Sequence, residues 1–189
     1  MTDDTRRRIV EAARQTVIQR GYEQTSIKEI AAAAGVAPGL LHYYFRSKED
    51  LLIAAIERAC KEAEESFGHL SGLEAAQAGL QKLKEQNNDV ALLFLEMVSV
   101  GLHNPRVAAA VRELINADRA YIEGLARALI PERPPAEQSA LAAVVWSGMI
   151  GIHIQRLFDP DLDIDAVVDA FAELAMSPVA TANRSDRRP

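Results

Sequence analysis

Apolar residues recur every three or four positions along most of this chain, which is the period of an amphipathic helix and not of a strand. In the first such segment, 4–20, Ile9, Ala13 and Val17 form one stripe, and Gly21 ends the pattern. Two short segments follow at 27–34 and 38–45, then longer ones at 47–69, from 71, from 88 or 89, and at 104–129, 136–158 and 164–175. The pattern predicts an all-α fold of about nine helices.

The starts of these segments carry helix caps, not the turn residues of hairpins. Pro38 suits the first position of a helix, because its missing N–H would be unpaired there anyway. Three pairs have the spacing of a capping box: Ser26 with Glu29, Ser47 with Asp50, and Ser71 with Glu74. Caps for the next two helices are expected at Asn88 or Asp89, and at Asn104 before Pro105.

Composition places the chain among soluble globular proteins, with 189 residues, 49% of them apolar and 25% charged. The polar N-terminus has no secretory apolar region, and the apolar run 92–100 is broken by Glu96 and Ser99, so we expect a cytoplasmic protein without a membrane partner. A single cysteine, Cys60, rules out an intrachain disulfide and a thiolate zinc site. We expect no metal and no cofactor.

Charge is distributed unevenly along the chain. The net charge of −6 by itself argues against a nucleic-acid partner. Residues 1–48, however, carry eight Lys or Arg and five Asp or Glu, a net charge of +3, which leaves −9 for the remainder. A basic N-terminal segment on an acidic body can present a positive face to a polyanion. A random imbalance is the alternative, since charge without a fold is weak evidence.

The two short segments have the spacing of a helix-turn-helix, with a tight turn at Gly35, Val36 and Ala37 between them. The second helix of this motif lies in the DNA major groove. Leu41 and Phe45, four residues apart, are expected on its buried side, with Leu40 or Tyr44 beside them. The opposite side then presents aromatic and imidazole rings to DNA.

Several side chains are candidates for contact with that DNA. His42 and Tyr43 can hydrogen-bond phosphates, and Gly39 allows close approach of the backbone. Lys28 is the long donor expected to reach a base edge, while Pro38 and Leu40 offer van der Waals contact. Phosphates are also expected at two helix starts, near Thr25 and Ser26 and near Ser47 and Lys48.

The segment G-Y-E-Q-T-S-I-K-E-I-A-A-A-A-G-V-A-P-G-L-L-H-Y-Y-F-R-S-K-E-D-L, residues 21–51, resembles the signature of the tetracycline-repressor (TetR) family of bacterial regulators. The resemblance extends over residues 9–55. It implies an all-helical homodimer with a DNA-binding domain at 1–46 that binds palindromic double-stranded DNA. It further implies an effector-binding and dimerisation domain at 47–176, where a small molecule causes release. Residues 177–189 lack apolar periodicity, and we expect a disordered tail there.

Two positions depart from the family pattern in the DNA-facing helix. The family usually has Ser where Ala37 stands and Thr where Leu40 stands, so two hydroxyl contacts are absent here. Ala37 keeps its place among the expected DNA-facing residues, but the usual base contacts of the family are not expected at either position.

Candidates in the larger domain are less defined. Aromatic, methionine and histidine side chains on its helices are candidates to line an effector pocket, with core packing as the alternative for each: Phe67, Phe94, Met97, His103, Tyr121, Trp146, Met149 and His153. Small and apolar residues of the last two helices are candidates for a dimer interface, with packing inside one chain as the alternative: Ala143, Val144, Ser147, Gly151, Ile154, Val168 and Phe171.

Three functional classes compete. A ligand-responsive DNA-binding repressor predicts salt-dependent binding to duplex DNA. An enzyme is disfavoured, because the chain has no glycine-rich phosphate loop or nucleophile elbow and its four histidines are scattered. An activator, or an adaptor that uses the same head for protein contacts, is the third class. For a repressor, the long helix that starts near Ser47 is expected to carry effector binding to the DNA-binding head.

Overall fold

The computed structural model describes residues 2–67, 70–85 and 88–176. All the regular elements within these ranges are α-helices, which confirms the all-α prediction. They are α1 (Thr2–Arg20), α2 (Ile27–Ala33), α3 (Pro38–Tyr44), α4 (Lys48–Phe67), α5 (Gly72–Lys84), α6 (Asp89–Gly101), α7 (Pro105–Leu129), α8 (Pro135–Phe158) and α9 (Ile164–Met176). The tail predicted at 177–189 and the end of the fourth helix predicted at His69 lie outside the described residues.

Local chemistry sets two of the helix starts as predicted. Ser26 and Glu29 form a reciprocal capping box at α2, in which Glu29 N–H donates to Ser26 Oγ at 3.2 Å. Asn104 Oδ1 accepts the N–H groups of Arg106 and Val107 at 3.0 and 3.3 Å, and so caps α7. Pro38 is the first residue of α3. These caps depend on residues within three positions of each other.

The cap predictions at Ser71 and Asn88 are wrong, because neither side chain makes a capping hydrogen bond. Gly72, which follows Ser71, has a φ of +54°, so the start of α5 departs from regular helical geometry. Asn88 has a ψ of 3° instead of the extended backbone that a cap requires, and its Oδ1 is buried without a hydrogen bond. The box at Ser47 is incomplete: Asp50 N–H donates to Ser47 Oγ, but the Asp50 carboxylate accepts from Arg46 N–H.

The chain divides into two compact units, and the first contains α1–α4, α6 and α7 as far as Ala117. In this unit α1 packs against α2, α4 and α6, and α4 also packs against α6. Fully buried aliphatic side chains from five of these helices make its core: Ile9, Ile30, Leu41, Leu51, Leu52, Ile56, Leu93 and Met97. The short helix α2 therefore rests on α1, and α3 packs against α2.

Polar contacts join α6 to α1 at two points. Arg14 of α1 forms an ion pair with Asp89 at the start of α6, at 3.2 Å. Two turns further along α6, Glu96 Oε2 accepts the N–H of Tyr22, just after the end of α1, at 3.1 Å. Gly21 makes that turn with a φ of +79°. Glu96 therefore has a structural role that explains an acid within an apolar helix.

The second unit contains α5, the rest of α7, α8 and α9. Its core is small: Leu83, Ile152 and Val168 are buried together, and Leu80, Met149, Ile164, Val167 and Phe171 pack against them. The two terminal nitrogens of Arg156 in α8 reach the C-terminus of α5, where Nη1 donates to Glu85 O and Nη2 donates to Leu83 O. Lys84 also pairs with Asp169 of α9 at 2.7 Å.

Helix α8 is long and apolar enough to cross a membrane by length and composition alone. The expectation from the sequence considered the run 92–100 and not this helix, and the finding does not by itself contradict it. The apolar residues of α8 are interrupted by Ser147, Gly148 and Gly151, so no single run of letters revealed them. Helices that pack in soluble proteins pass the same test, and the finding is weak evidence for a membrane.

Candidate nucleic-acid interface

The turn between α2 and α3 has the tight geometry that the sequence predicts. Gly35 has a φ of +64°, in the left-handed region that glycine adopts without strain. The N–H of Val36 donates back to Ala31 O at 2.9 Å. From α1, Arg8 Nη2 donates to Ala34 O at 2.6 Å, at the C-terminus of α2. The guanidinium of Arg8 thus fixes α1 against the turn, a contact that the sequence did not reveal.

One side of α3 is anchored in the first unit. Leu41 has no exposed surface and Phe45 is 4% exposed, which confirms that both residues are buried. The guanidinium carbon of Arg6 lies 5.3 Å from the centre of the Phe45 ring, a cation–π contact from α1. These contacts fix the rotation of α3 about its own axis.

The other side of α3 is open to solvent. Tyr43 is 78% exposed, and its ring meets the half-buried Tyr44 ring edge-on with centroids 5.2 Å apart. A methyl group added at Gly39 would meet nothing within 4 Å, so packing inside the chain does not require glycine there. The exposed residues on this side match the expected DNA-facing set: Ala37, Pro38, Gly39, Leu40, His42 and Tyr43. We call these six residues the α3 face.

On α2, Lys28 is exposed, whereas Ser26 is committed to its cap. The Ser26 hydroxyl donates to Glu29 Oε2 at 2.7 Å and also accepts Glu29 N–H. Hydrogen bonds from the hydroxyl and N–H of Ser26 lower the pKa of Glu29. The Ser26 side chain therefore holds the start of α2 in place.

Two predicted phosphate ligands have internal partners instead. Thr25 is only 3% exposed, and its hydroxyl donates to Gly21 O at 2.8 Å, because the turn before α2 folds over it. Its N–H donates to Tyr22 O, so we remove Thr25 from the set of DNA contacts. The Lys48 ammonium donates to the carbonyls of Tyr22 and Thr25 at 2.6 and 2.9 Å, and so points toward the turn that precedes α2.

Comparison with known proteins agrees with this geometry. Residues 9–55 match the family described as bacterial regulatory proteins, tetR family. The transcriptional regulator UidR of Escherichia coli K12 is 30% identical over 112 residues, which are 57% of this chain and 57% of UidR. The chain thus matches somewhat over half the length of this relative. It belongs to the TetR family.

Solved structures extend the likeness to the whole fold. A transcriptional regulator from Saccharomonospora viridis in complex with choline has a TM-score of 0.75 at 20% identity, over 93% of this chain and 97% of that one. FadR from Bacillus subtilis in complex with stearoyl-CoA has a TM-score of 0.69 at 20% identity, over 90% and 97%. At such identities the likeness establishes the fold alone, and it confirms a TetR-like arrangement.

The predicted effector-lining residues of this TetR-family chain are divided between the two units. Phe94 and Met97 are buried in the first unit, and His103 is exposed there. For Phe67, only the backbone lies within the described part of the chain. The remaining four belong to the second unit: Tyr121, Trp146, Met149 and His153.

In the second unit, Trp146, Met149 and His153 share one stripe of α8. The Trp146 indole N–H donates to Asp118 Oδ2 of α7 at 3.1 Å. Met149 packs against the small core, and His153 Nδ1 is buried without a hydrogen bond. Burial, and secondarily the charge of Arg156, lowers the pKa of His153 and so favours its neutral imidazole.

Two predicted dimer residues of the TetR-family chain pack inside their own unit. Val168 has no exposed surface and lies in the core of the second unit, so it cannot contact a second chain. Phe171 packs against that core and so closely against Gly148 that an added Cβ would lie 2.5 Å from its ring. The five α8 candidates are half-buried or exposed: Ala143, Val144, Ser147, Gly151 and Ile154. The sequence could not separate these groups, because it does not fix which side of α8 or of α9 faces the core.

Proposed function

We propose that this chain is a ligand-responsive repressor that binds a palindromic duplex operator as a homodimer and is released by a small molecule. The observation that carries the proposal is the contrast between the two sides of α3, where Leu41 has no exposed surface and Tyr43 is 78% exposed. A short helix after a tight turn, anchored on one side and open on the other, suits insertion into a major groove.

Each part of the α3 face has a different task in this proposal. The phenol of Tyr43 and the imidazole of His42 hydrogen-bond phosphates while their rings cover sugar edges. Pro38 and Leu40 contact base edges through van der Waals surface, and Gly39 and Ala37 let the backbone approach. Lys28 of α2 supplies the long donor to a base edge. Since few of these groups read bases directly, DNA shape contributes to specificity.

Tyr43→Ala tests this assignment. An operator is first selected from random duplexes with the purified chain, and its affinity is measured by fluorescence anisotropy at several salt concentrations. We expect Tyr43→Ala to lower affinity at least about tenfold at every salt concentration, with an unchanged salt dependence, because the phenol is uncharged and neutralises no phosphate. Leu102→Ala, which removes another exposed apolar side chain, is the matched control and should bind as the wild type does. Equal affinity of the two variants would refute the proposal.

The homodimer is supported by a stripe along α8. Val144, Ser147, Gly151, Ile154 and Phe158 recur at intervals of three and four residues, the spacing of a helix–helix seam. Val144 is 66% and Phe158 82% exposed. A methyl group added at Gly151 would meet nothing within 4 Å. We call these five residues the α8 stripe and propose that it packs against the same stripe of a second chain, since two half-sites need two linked heads.

The effector is proposed to act through α4. This helix runs from Lys48 to Phe67 without proline or glycine, and it starts directly after α3. Near its start, Asp50 pairs with Arg106 of α7 and accepts Arg46 N–H at 3.0 Å. A shift of α4 therefore moves the linker that carries α3, and so separates or closes the two α3 helices of the dimer.

Candidate effector ligands in the second unit are Tyr121, Trp146, Met149 and His153. Two TetR-like relatives hold choline and stearoyl-CoA, which differ in size and charge, so the fold does not select a ligand class. Metabolites that release the selected operator would identify the effector. The distance between labels next to the two Tyr43 residues should then change on binding. An unchanged distance together with released DNA would contradict the role of α4.

A further inference from the structure

The first residue of α4, Lys48, makes contacts that do not suit a phosphate ligand. Its ammonium donates to Tyr22 O at 2.6 Å and to Thr25 O at 2.9 Å. It also lies 3.9 Å from the centre of the Tyr22 ring. An ammonium has three N–H donors and no acceptor. Two carbonyls and one aromatic face therefore account for its bonding capacity.

The two carbonyls belong to the turn that leads into α2. Thr25 N–H donates to Tyr22 O at 3.1 Å and closes this turn. Ser26, the next residue, is the N-cap of α2. Tyr22 and Thr25 are 5% and 3% exposed, so water cannot readily replace Lys48 as a donor to these groups. Lys48 thus joins the start of α4 to the start of α2, across 26 residues of sequence from Tyr22.

We propose that Lys48 is a positioning residue of the DNA-binding head, whose ammonium holds the start of α2 against α4 instead of neutralising a phosphate. The proposal rests on the DNA-binding function proposed above. Hydrogen bonds from a charged donor are stronger than neutral ones, so these two hydrogen bonds, together with the cation–π contact, fix the turn firmly. Since α2 carries Lys28 and supports α3, loss of the contact misplaces the residues that do meet DNA.

The salt dependence of binding separates positioning from phosphate contact. Each neutralised phosphate changes the slope of log K against log salt by about 0.9. A positioning residue lowers affinity at every salt concentration and leaves that slope unchanged. It also protects backbone N–H groups of the first turn of α2 from hydrogen exchange in the protein without DNA.

Lys48→Met and the matched variant Lys28→Met test the proposal in the full chain. Both remove one ammonium, but Lys28 is exposed on α2. We expect Lys48→Met to bind the selected operator at least about tenfold more weakly with the wild-type slope, and to exchange faster at residues 25–30. Lys28→Met should keep wild-type exchange. If Lys48→Met does not fold, Lys48→Gln retains an N–H donor without the charge and carries the same two measurements.

A slope reduced by about 0.9 per head in the Lys48 variant would overturn the proposal, whatever the exchange result. Unchanged exchange at residues 25–30 would overturn it as well. If the wild-type chain binds no duplex, the proposed function fails. The exchange measurement on the protein alone then still decides whether Lys48 holds the turn.

Discussion

The two units of this molecule differ in how completely they cover their apolar side chains. The first unit buries large aliphatic residues from α1 to α4 and α6, and its exposed rings are concentrated on α3. In the second unit, fewer apolar side chains of the described residues are buried: Ala75, Leu83, Ala126, Ala142, Ile152 and Val168. Meanwhile Phe158 and Leu174 are 82% and 80% exposed. The difference indicates that the first unit has the larger core, while we propose that a second chain covers exposed apolar residues of the second unit.

The strongest test of this comparison is to place charge on the α8 stripe. In the double variant Val144→Asp with Phe158→Asp, two carboxylates would be buried in the proposed interface, so we expect a monomer. Operator affinity should fall by about 100-fold or more, because the two heads are no longer linked. Analytical sedimentation measures the mass of the double variant, and fluorescence anisotropy measures its affinity for the operator. The control is Leu102→Asp, 76% exposed in the first unit, which should leave the mass unchanged.

Within the first unit, Leu41→Ala should destabilise the fold strongly, whereas Tyr43→Ala should leave its stability almost unchanged. Leu41 is completely buried, so its truncation should lower the free energy of unfolding by about 2–5 kcal/mol. Tyr43 is exposed, and its truncation should change stability by less than about 0.5 kcal/mol. Urea unfolding measures both. A large loss of stability in Tyr43→Ala would mean that its ring supports the core.

In the second unit, two glycines of α8 should respond differently to alanine. Gly148→Ala forces the Phe171 ring to move and should cost about 1–3 kcal/mol of unfolding free energy. Gly151→Ala meets no atom within 4 Å in the single chain and should gain up to about 1 kcal/mol of helix stability. Thermal unfolding at low protein concentration compares them. If Gly151→Ala weakens the dimer, the α8 stripe is in contact there.

The smallest expected effect is a pH dependence in the second unit. The pKa of His153 is lower in the folded chain than in the unfolded one, mainly through burial. As pH falls through about 6.5, the unfolded chain therefore binds this proton first. The His153 contribution to stability is complete above that pH and declines toward the folded pKa. Unfolding at pH 7.5 and 5.5 should show a smaller difference in His153→Met than in the wild type. Equal differences would indicate that His153 is not buried in solution.

Most features decided by neighbours in sequence could be predicted, apart from the caps at Ser71 and Asn88, whereas features decided by distant partners could not. The Ser26 box, the Asn104 cap and the buried pair of Leu41 and Phe45 all follow from spacings of two to four residues. Lys48 was assigned to phosphate because the two carbonyls that it contacts lie 23 and 26 residues away.

The second unit was harder to predict for a related physical reason. Val168 and Val144 have the same side chain on neighbouring helices, but one has no exposed surface and the other is 66% exposed. The two valines differ only in whether the side of the helix on which they lie faces the core. Gly148 and Gly151 differ in the same way, and sequence alone does not fix that rotation.

The backbone of Tyr22 is hydrogen-bonded to two helices, since its N–H donates to Glu96 of α6 and its carbonyl accepts from Lys48 of α4. The backbone of Tyr22 thus connects α4 to α6. A movement of α4 along α6 would lengthen one of these two hydrogen bonds before it displaced the rings of the α3 face. The backbone at Tyr22 is therefore where such a movement would first cause strain in the first unit.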